Sequence, residues 1–480
     1  MSAPESTNPS IRSREEQEAV TERLKSSGGA WITMPPSYDV FSRSELSKKL
    51  LQVRDTVLTE TNADPMDVEA AYDSSQQFIE SAFDFYEQKK DLGGPIGRAF
   101  VVPMRSDRLE DDYATESIPF YPLLDPKRFG VSSEIRMRTM YGVPPGTPLD
   151  TYTKSDDPNE RGALLLAPLY SDMRRDIWRD DTNVEQALRL DKIISKILKE
   201  TVEFAHHKLG AKYIGLGATL PTPMLTDFGR KLRAIEGMDN LVTTTGHGGT
   251  VHMIGQTVLA AMDRPSVETS GRVGVLGGAG SIGWSTIQLL RNIIPDHDLH
   301  VFDKREERMH DLRNGAADMG KVAVAGSVAQ VLMKNKVIVS AITERIDLDD
   351  AQYRDIDLNG VVWIDDSQPG SVDRRQLEAR GGKVVWVAGK DASESRFMTR
   401  DGYYTNGVGY TYGDSSGLYG HDTEFACGLE AAVVAASQNP HNAVTKPVVY
   451  DDVARIGKLF DEHGVQIADF QSFGKPVDIP

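Results

Sequence analysis

The sequence predicts an α/β protein: a Rossmann-type, doubly wound parallel sheet in the C-terminal half, an α/β substrate domain before it, and a mainly helical N-terminal extension. Three observations predict it. Short apolar runs at 273–276, 299–302, 337–341, 361–365 and 384–388 alternate with helical patterns, as buried parallel strands and their crossovers do. Gly278, Gly280 and Gly283 follow the first run with the G-x-G-x-x-G spacing of a dinucleotide-binding turn. Asp303 ends the second run, near the ~20-residue distance expected of a carboxylate that binds ribose hydroxyls.

The elements follow in chain order. Residues 1–16 are polar and read as a disordered tail without a hydrophobic signal core. Residues 17–160 form the extension, helical over 43–58 and 67–89, then irregular and rich in Pro, Gly and Asp over 91–160. Residues 161–262 form the substrate domain, with strands at 164–166 and 213–217 and a long helix over 183–209. Its Thr/Gly-rich turn, 243–251, opens a helix to about Met262. Residues 271–405 are the nucleotide domain, in which the helix after the glycines starts near Trp284. A Gly/Tyr-rich loop spans 401–421, and helices are expected over 422–437 and 453–463. The last part, 406–480, carries the chain's cysteine and packs back on the substrate domain.

At the glycine turn each residue has an expected task. Gly278 permits the tight turn, Gly280 lets a pyrophosphate approach the backbone, and Gly283 lets helix and strand pack closely. Ser281 and Ile282 would offer backbone N–H groups at the helix start, where the dipole favours an anion. Ala341, ending the third apolar run, is expected beside the cofactor. Asp303 favours NAD, because its charge repels a 2′-phosphate. Lys304 and Arg305 would attract that phosphate, so NADP stays open.

Composition narrows the function classes. A chain of 480 residues holds two or more domains. Its net charge of −17 disfavours nucleic acid as a partner. An acidic partner would need a local basic patch, such as Arg174, Arg175 and Arg179 or Arg230, Lys231 and Arg233; both also read as solvated helix faces. No apolar run reaches membrane-spanning length, and the cytoplasm is the expected compartment. With one cysteine, Cys427, neither an intrachain disulfide nor a thiolate metal cluster can form, and no metal is expected.

Cys427 is the candidate nucleophile. Asp422 or Thr423 would cap its helix, placing the thiol about one turn inside, where the dipole lowers a thiol pKa. His421 precedes the cap and would reach the same neighbourhood. On local residues alone, a small buried apolar role is the commoner fate of a lone cysteine, and a capping role that of the histidine.

Several stretches resemble the long-chain acyl-[acyl-carrier-protein] reductases, which form aldehydes. Residues 244–250, TTGHGGT, resemble that family's T-T-G-N-x-H-T turn. Residues 275–283 are similar to its V-x-G-A-T-G-D-I-G loop, and 364–369, IDDSQP, stand where it has I-D-G-G-Y-P. Residues 425–431, FACGLEA, resemble F-A-C-F-A-E-A. The resemblance spans about 160–475. It differs at Gly249, where the family has histidine, at His247, which replaces asparagine, and at Asp303.

The resemblance implies that Cys427 accepts an acyl group from an acyl carrier protein or CoA thioester and that NAD(P)H reduces it to an aldehyde. N–H groups near the Cys427 helix start would stabilise the oxyanion, with Thr250 or His247 adding a hydrogen bond. Homo-oligomerisation is compatible with this reading. Two other readings stand beside it: a dehydrogenase of an amino or hydroxy acid without a covalent intermediate, and a nucleotide-binding protein without turnover. A short-chain dehydrogenase is disfavoured, since the Y-x-x-x-K match at Tyr86 and Lys90 precedes the glycine loop.

Overall fold

A computed structural model describes residues 43–88, 96–104, 123, 126–131, 147–152, 161–170, 184–222, 225–267, 271–342, 344–367, 370–392, 423–472 and 475–480. The expected tail, the Gly/Tyr-rich loop with His421 and Asp422, and the Arg174, Arg175 and Arg179 patch lie outside the described residues. The chain divides into two compact units. One comprises Met1–Asp107, Ile118–Asp150 and Ala163–Thr243; the other comprises Arg108–Ser117, Thr151–Gly162 and Thr244–Pro480.

In the first unit, α1 (Arg43–Glu60) packs against α2 (Pro65–Gln88). Leu50, Val53 and Val57 recur at helical spacing and are buried, as are Val68 and Ala71 opposite. The Asp64 carboxylate caps α2 by accepting the Met66 N–H at 2.8 Å, with Pro65 at the first helical position. A five-stranded sheet has the order β2-β3-β1-β4-β5: β1 (Arg98–Met104), β2 (Thr147–Tyr152), β3 (Gly162–Tyr170), β4 (Tyr213–Leu216) and β5 (Val242–Thr244). β1 runs parallel to β4, with Arg98 opposite Tyr213.

Two expectations need correction here. The region expected to be irregular contributes β1 and β2, because Ala99-Phe100-Val101-Val102 is a buried run concealed among turn residues. The single helix expected over 183–209 is α3 (Val184–Glu203) followed by a π-helical turn, Phe204–Lys208.

The second unit holds the sheet that the apolar runs predict. β6 (Arg272–Leu276), β7 (Asp298–Phe302), β8 (Val322–Val324), β9 (Val337–Ser340), β10 (Val362–Asp365) and β11 (Lys383–Trp386) lie in the order β11-β10-β9-β6-β7-β8. Neighbouring strands of this sheet run parallel throughout. The strand order therefore reverses between β6 and β9, the point at which such sheets bind ligands. The crossovers include α5 (Ser281–Ile293), α6 (Glu306–Ala317) and α7 (Val328–Lys334). β9 and β10 are buried on both faces, as a covered parallel sheet requires.

Around this sheet lie α4 (His247–Met262), α8 (Ala426–Ala436) and α9 (Tyr450–Glu462). α4 packs against α5, α8 and α9. So α4, expected with the substrate domain, is in the second unit. The run expected as one strand over 384–388 is divided: β11 ends at Trp386, and β12 (Ala388–Asp391) belongs to a separate antiparallel sheet, β13-β12-β14. Its other members are β13 (Thr423–Phe425) and β14 (Val465–Ile467). No helix among the described residues is long and apolar enough to cross a membrane, and no group of His, Cys, Asp or Glu among them is placed to hold a metal ion.

Candidate active site

Between β6 and α5 the backbone makes a left-handed step at Gly277, with φ of 80°. The tight turn thus belongs to Gly277, not to Gly278 as its place in the motif suggests. A methyl group on Gly277 would lie 2.3 Å from the Ala341 carbonyl oxygen, so the turn fits directly against the end of β9. α5 begins at Ser281, three residues before the expected start, because the Trp284 N–H already donates to the Gly280 carbonyl at 2.8 Å. The N–H groups of Ser281, Ile282 and Gly283 come ahead of that bond and belong to the open first turn. A methyl on Gly283 would lie 2.1 Å from the Gly277 oxygen, whereas one on Gly280 would meet only that oxygen, at 3.2 Å. This is a cradle of backbone N–H groups with room for an anion above Gly280. The Ser281 hydroxyl accepts the Val448 N–H at 3.0 Å, which anchors the helix start.

Asp303 sits beside this cradle, 5% exposed, just past the end of β7. Its Oδ2 accepts the Ala279 N–H at 3.2 Å and its Oδ1 the Arg305 N–H at 3.1 Å. The carboxylate is therefore tied to the glycine turn it is expected to serve. Lys304 is ion-paired with Glu344, from the segment after β9, so its charge is partly engaged.

The thiol stands in a second cluster of the same unit. α8 begins at Ala426, because Thr423–Phe425 pairs as β13 with β12 and cannot form a cap. Cys427 is therefore the second helical residue, and Thr423 does not have the expected capping role. The Gly428 N–H favours the thiolate form of the sulfur. Gly246, with φ of 74°, lies against Cys427, leaving no space for a side chain at 246.

Glu430, one helical turn on and fully buried, gathers the TTGHGGT turn. It accepts the Thr244 hydroxyl, the Gly246 N–H at 3.0 Å and the Gly249 N–H at 2.8 Å. Thr250 is buried in the first turn of α4 and donates its N–H to the Gly246 carbonyl at 3.0 Å. His247 is largely buried; burial pushes its imidazole down to about 4, and its Nδ1 has no hydrogen-bond partner.

Electrostatics reverse one expectation. Burial, then the carboxylates of Asp366, Glu424 and Glu430, push the Cys427 thiol well above its ordinary value; the Gly428 N–H opposes them and loses. The helix dipole, worth up to about 2 kcal/mol in favourable geometry, does not outweigh three acidic groups and desolvation. Asp366 is itself pushed well above the carboxylate range, by burial and by Asp365. Asp365 is raised to about 6 by burial, although it accepts the Ser367 N–H at 2.9 Å and the Ser371 N–H and hydroxyl at 2.7 and 2.9 Å.

The end of β9 links the two clusters. The Ala341 N–H donates to the Leu276 carbonyl at 3.0 Å, and the Ala341 carbonyl abuts Gly277. The Ser340 carbonyl accepts the Asp366 N–H at 3.4 Å, and the Asp366 carboxyl acts on the thiol. Sequence reasoning missed Asp366, Glu424 and Glu430. A glutamate three residues after the cysteine on an otherwise apolar helix was the available signal, since a carboxylate there must find donors when buried.

No protein-family model matches the chain, and no curated protein matches it closely. Among solved structures, it is similar to L-tryptophan dehydrogenase from Nostoc punctiforme at 10% identity, covering 77% of this chain and 89% of that one with a TM-score of 0.29. It is similar to shikimate dehydrogenase from Aquifex aeolicus at 10% identity, covering 75% and 97% with a TM-score of 0.27. With CmnK it shares 19% identity over 25% of this chain, and it spans 35% of that protein's length, with a TM-score of 0.20. At these values the chemistry of the site rests on its own geometry.

Proposed function

We propose that the chain is an NAD- or NADP-dependent oxidoreductase that reduces an acyl thioester, of CoA or an acyl carrier protein, to an aldehyde through an acyl group on Cys427. One observation carries this reading: the end of β9 touches both the glycine cradle, through Ala341, and Asp366, whose carboxyl acts on the thiol. One strand end thereby connects the surroundings of Cys427 with the glycine turn.

The residues fit a dinucleotide. The N–H groups of Ser281, Ile282 and Gly283 would hold its pyrophosphate, and Asp303 its ribose, with Ala341 alongside. Bound there, the dinucleotide would supply a hydride. The other steps belong to the chain. The Cys427 sulfur bonds to the acyl carbon, the carbon–sulfur bond to the carrier breaks, and the thiol proton leaves with the carrier thiol. Once a hydride had been added to the acyl carbon, the oxyanion would re-form the carbonyl as the bond to Cys427 breaks, the aldehyde would depart, and the released thiolate would take up a proton. Asp366, whose carboxyl is raised by burial and by Asp365, is suited to carry that proton. The Gly428 N–H steadies charge on the sulfur. The Gly246 and Gly249 N–H groups are committed to Glu430 and do not serve the oxyanion.

The test is incubation with an acyl-CoA in the absence of dinucleotide. Wild type gains the acyl mass and Cys427→Ala does not; an equal gain in both sinks the covalent step.

One observation favours a second reading. The carboxylates around Cys427 oppose a thiolate, which suits a dehydrogenase of an amino or hydroxy acid in which Asp366 moves the proton and the cysteine only packs. In that case hydride transfer persists in Cys427→Ala.

A further inference from the structure

We propose that Glu430 is a positioning residue for Cys427: its carboxylate clamps the 244–249 turn onto α8 and so fixes both the backbone packed against the cysteine and a charge near its sulfur. The inference rests on the reading of Cys427 as the reacting group. Glu430 is fully buried and lies three residues after the cysteine, on the same face of α8. Its two oxygens accept from the Thr244 hydroxyl and from the N–H groups of Gly246 and Gly249. A carboxylate has about four acceptor sites, and here donors point at them. Burial raises the Glu430 carboxyl above its ordinary value, and these donors oppose that shift by favouring the ionised form.

The Thr244 hydroxyl is free to donate because its oxygen accepts the Val444 N–H at 3.0 Å, which completes a relay from Val444 through Thr244 to Glu430. The turn so held puts Gly246 against the cysteine, where a methyl group would lie 2.7 Å from its Cα. The same carboxylate adds its charge to those of Asp366, after β10, and Glu424, on β13. These three face the thiol from the elements around it. Packing and charge therefore come from one side chain.

Alkylation of the full chain by iodoacetamide tests this, with the adduct read by intact mass across neutral to alkaline pH. Cys427 is the one cysteine, so the adduct reports on it alone. The midpoint of the rate profile reports the charge around the sulfur, and the alkaline plateau reports access. Glu430→Gln removes the charge; its midpoint moves down by about one pH unit, and alkylation at neutral pH is about tenfold faster. Glu430→Asp keeps the charge and restores the midpoint. Thr244→Val keeps the charge and loosens the turn, so its plateau rises several-fold while its midpoint stays.

A wild-type midpoint in folded Glu430→Gln overturns the proposal. So does an unchanged plateau in Thr244→Val, which decides the matter if Glu430→Gln does not fold. None of these readouts needs acyl transfer. Failure of wild-type Cys427 to take an acyl group would overturn the covalent reading separately.

Discussion

Gly246 runs so close to Cys427 that a Cβ on the glycine would fall 2.2 Å from the Cβ of the cysteine. The contact joins the TTGHGGT turn to the FACGLEA segment, two motifs far apart in the chain. It also explains why position 246 takes glycine twice over, since its φ of 74° disfavours any other residue.

Gly246→Ala should therefore both strain the backbone and push the turn off the thiol. We expect a loss of about 1–3 kcal/mol from the backbone conformation, with overlap adding to it. Thermal denaturation reads the loss, and iodoacetamide reads the thiol, whose alkaline plateau should rise as the turn lifts.

Asp366 presents the largest charge effect on the thiol after burial itself. In Asp366→Asn that charge is absent, and the alkylation midpoint should move to lower pH. On the proposed reading acyl reduction should nevertheless slow, because the group proposed to carry the proton has gone; general acid–base groups contribute on the order of 10²-fold or more. Faster alkylation together with slower turnover is the pattern to look for. Turnover unaffected by the substitution removes Asp366 from the chemistry.

Lys304 is held by Glu344, and Asp303 by the glycine turn. Glu344→Gln should release the lysine for a 2′-phosphate and tighten NADPH binding about three- to fivefold, the range of a half-exposed ion pair. NADH affinity should stay the same. Titration of reduced-nicotinamide fluorescence measures both, and equal shifts for the two coenzymes would detach Lys304 from the ribose.

His247 gives a pH signature. Its imidazole is lowered from 6.5 to about 4 by burial, so the unfolded chain binds the proton more readily across that window. Stability is therefore present above pH 6.5 and is lost as pH falls through it toward 4, by about 2 kcal/mol at pH 5. His247→Asn has no such group, and denaturant melts of this variant should lose less stability between neutral pH and pH 5 than wild type.

The parallel sheet was legible because its strands are short apolar runs divided by helical patterns, and Val337-Ile338-Val339 and Val362-Trp363-Ile364 are buried accordingly. The place of Asp303 just past the end of β7 was legible because a strand followed by an acid is a local signal. β1 and β2 were not, since their partners are distant in sequence and their neighbourhood is rich in turn residues. The cap of α8 was misread for a related reason: Thr423 suits a cap locally, but β12 offers it a backbone ladder. The direction of the thiol's shift was the least accessible feature. The local sequence shows the helix dipole, whereas Asp366 comes from a strand end some 60 residues away, and only folding brings it near.

β13 passes into α8 without an intervening loop, and β13 is laced to β12 through Ala388, Gly389 and Lys390. The sulfur is thus mounted on a braced beam and not on a swinging arm. Little orientational search should precede attack, so an incoming acyl donor would have to do the travelling, and its delivery would set the tempo of the cycle.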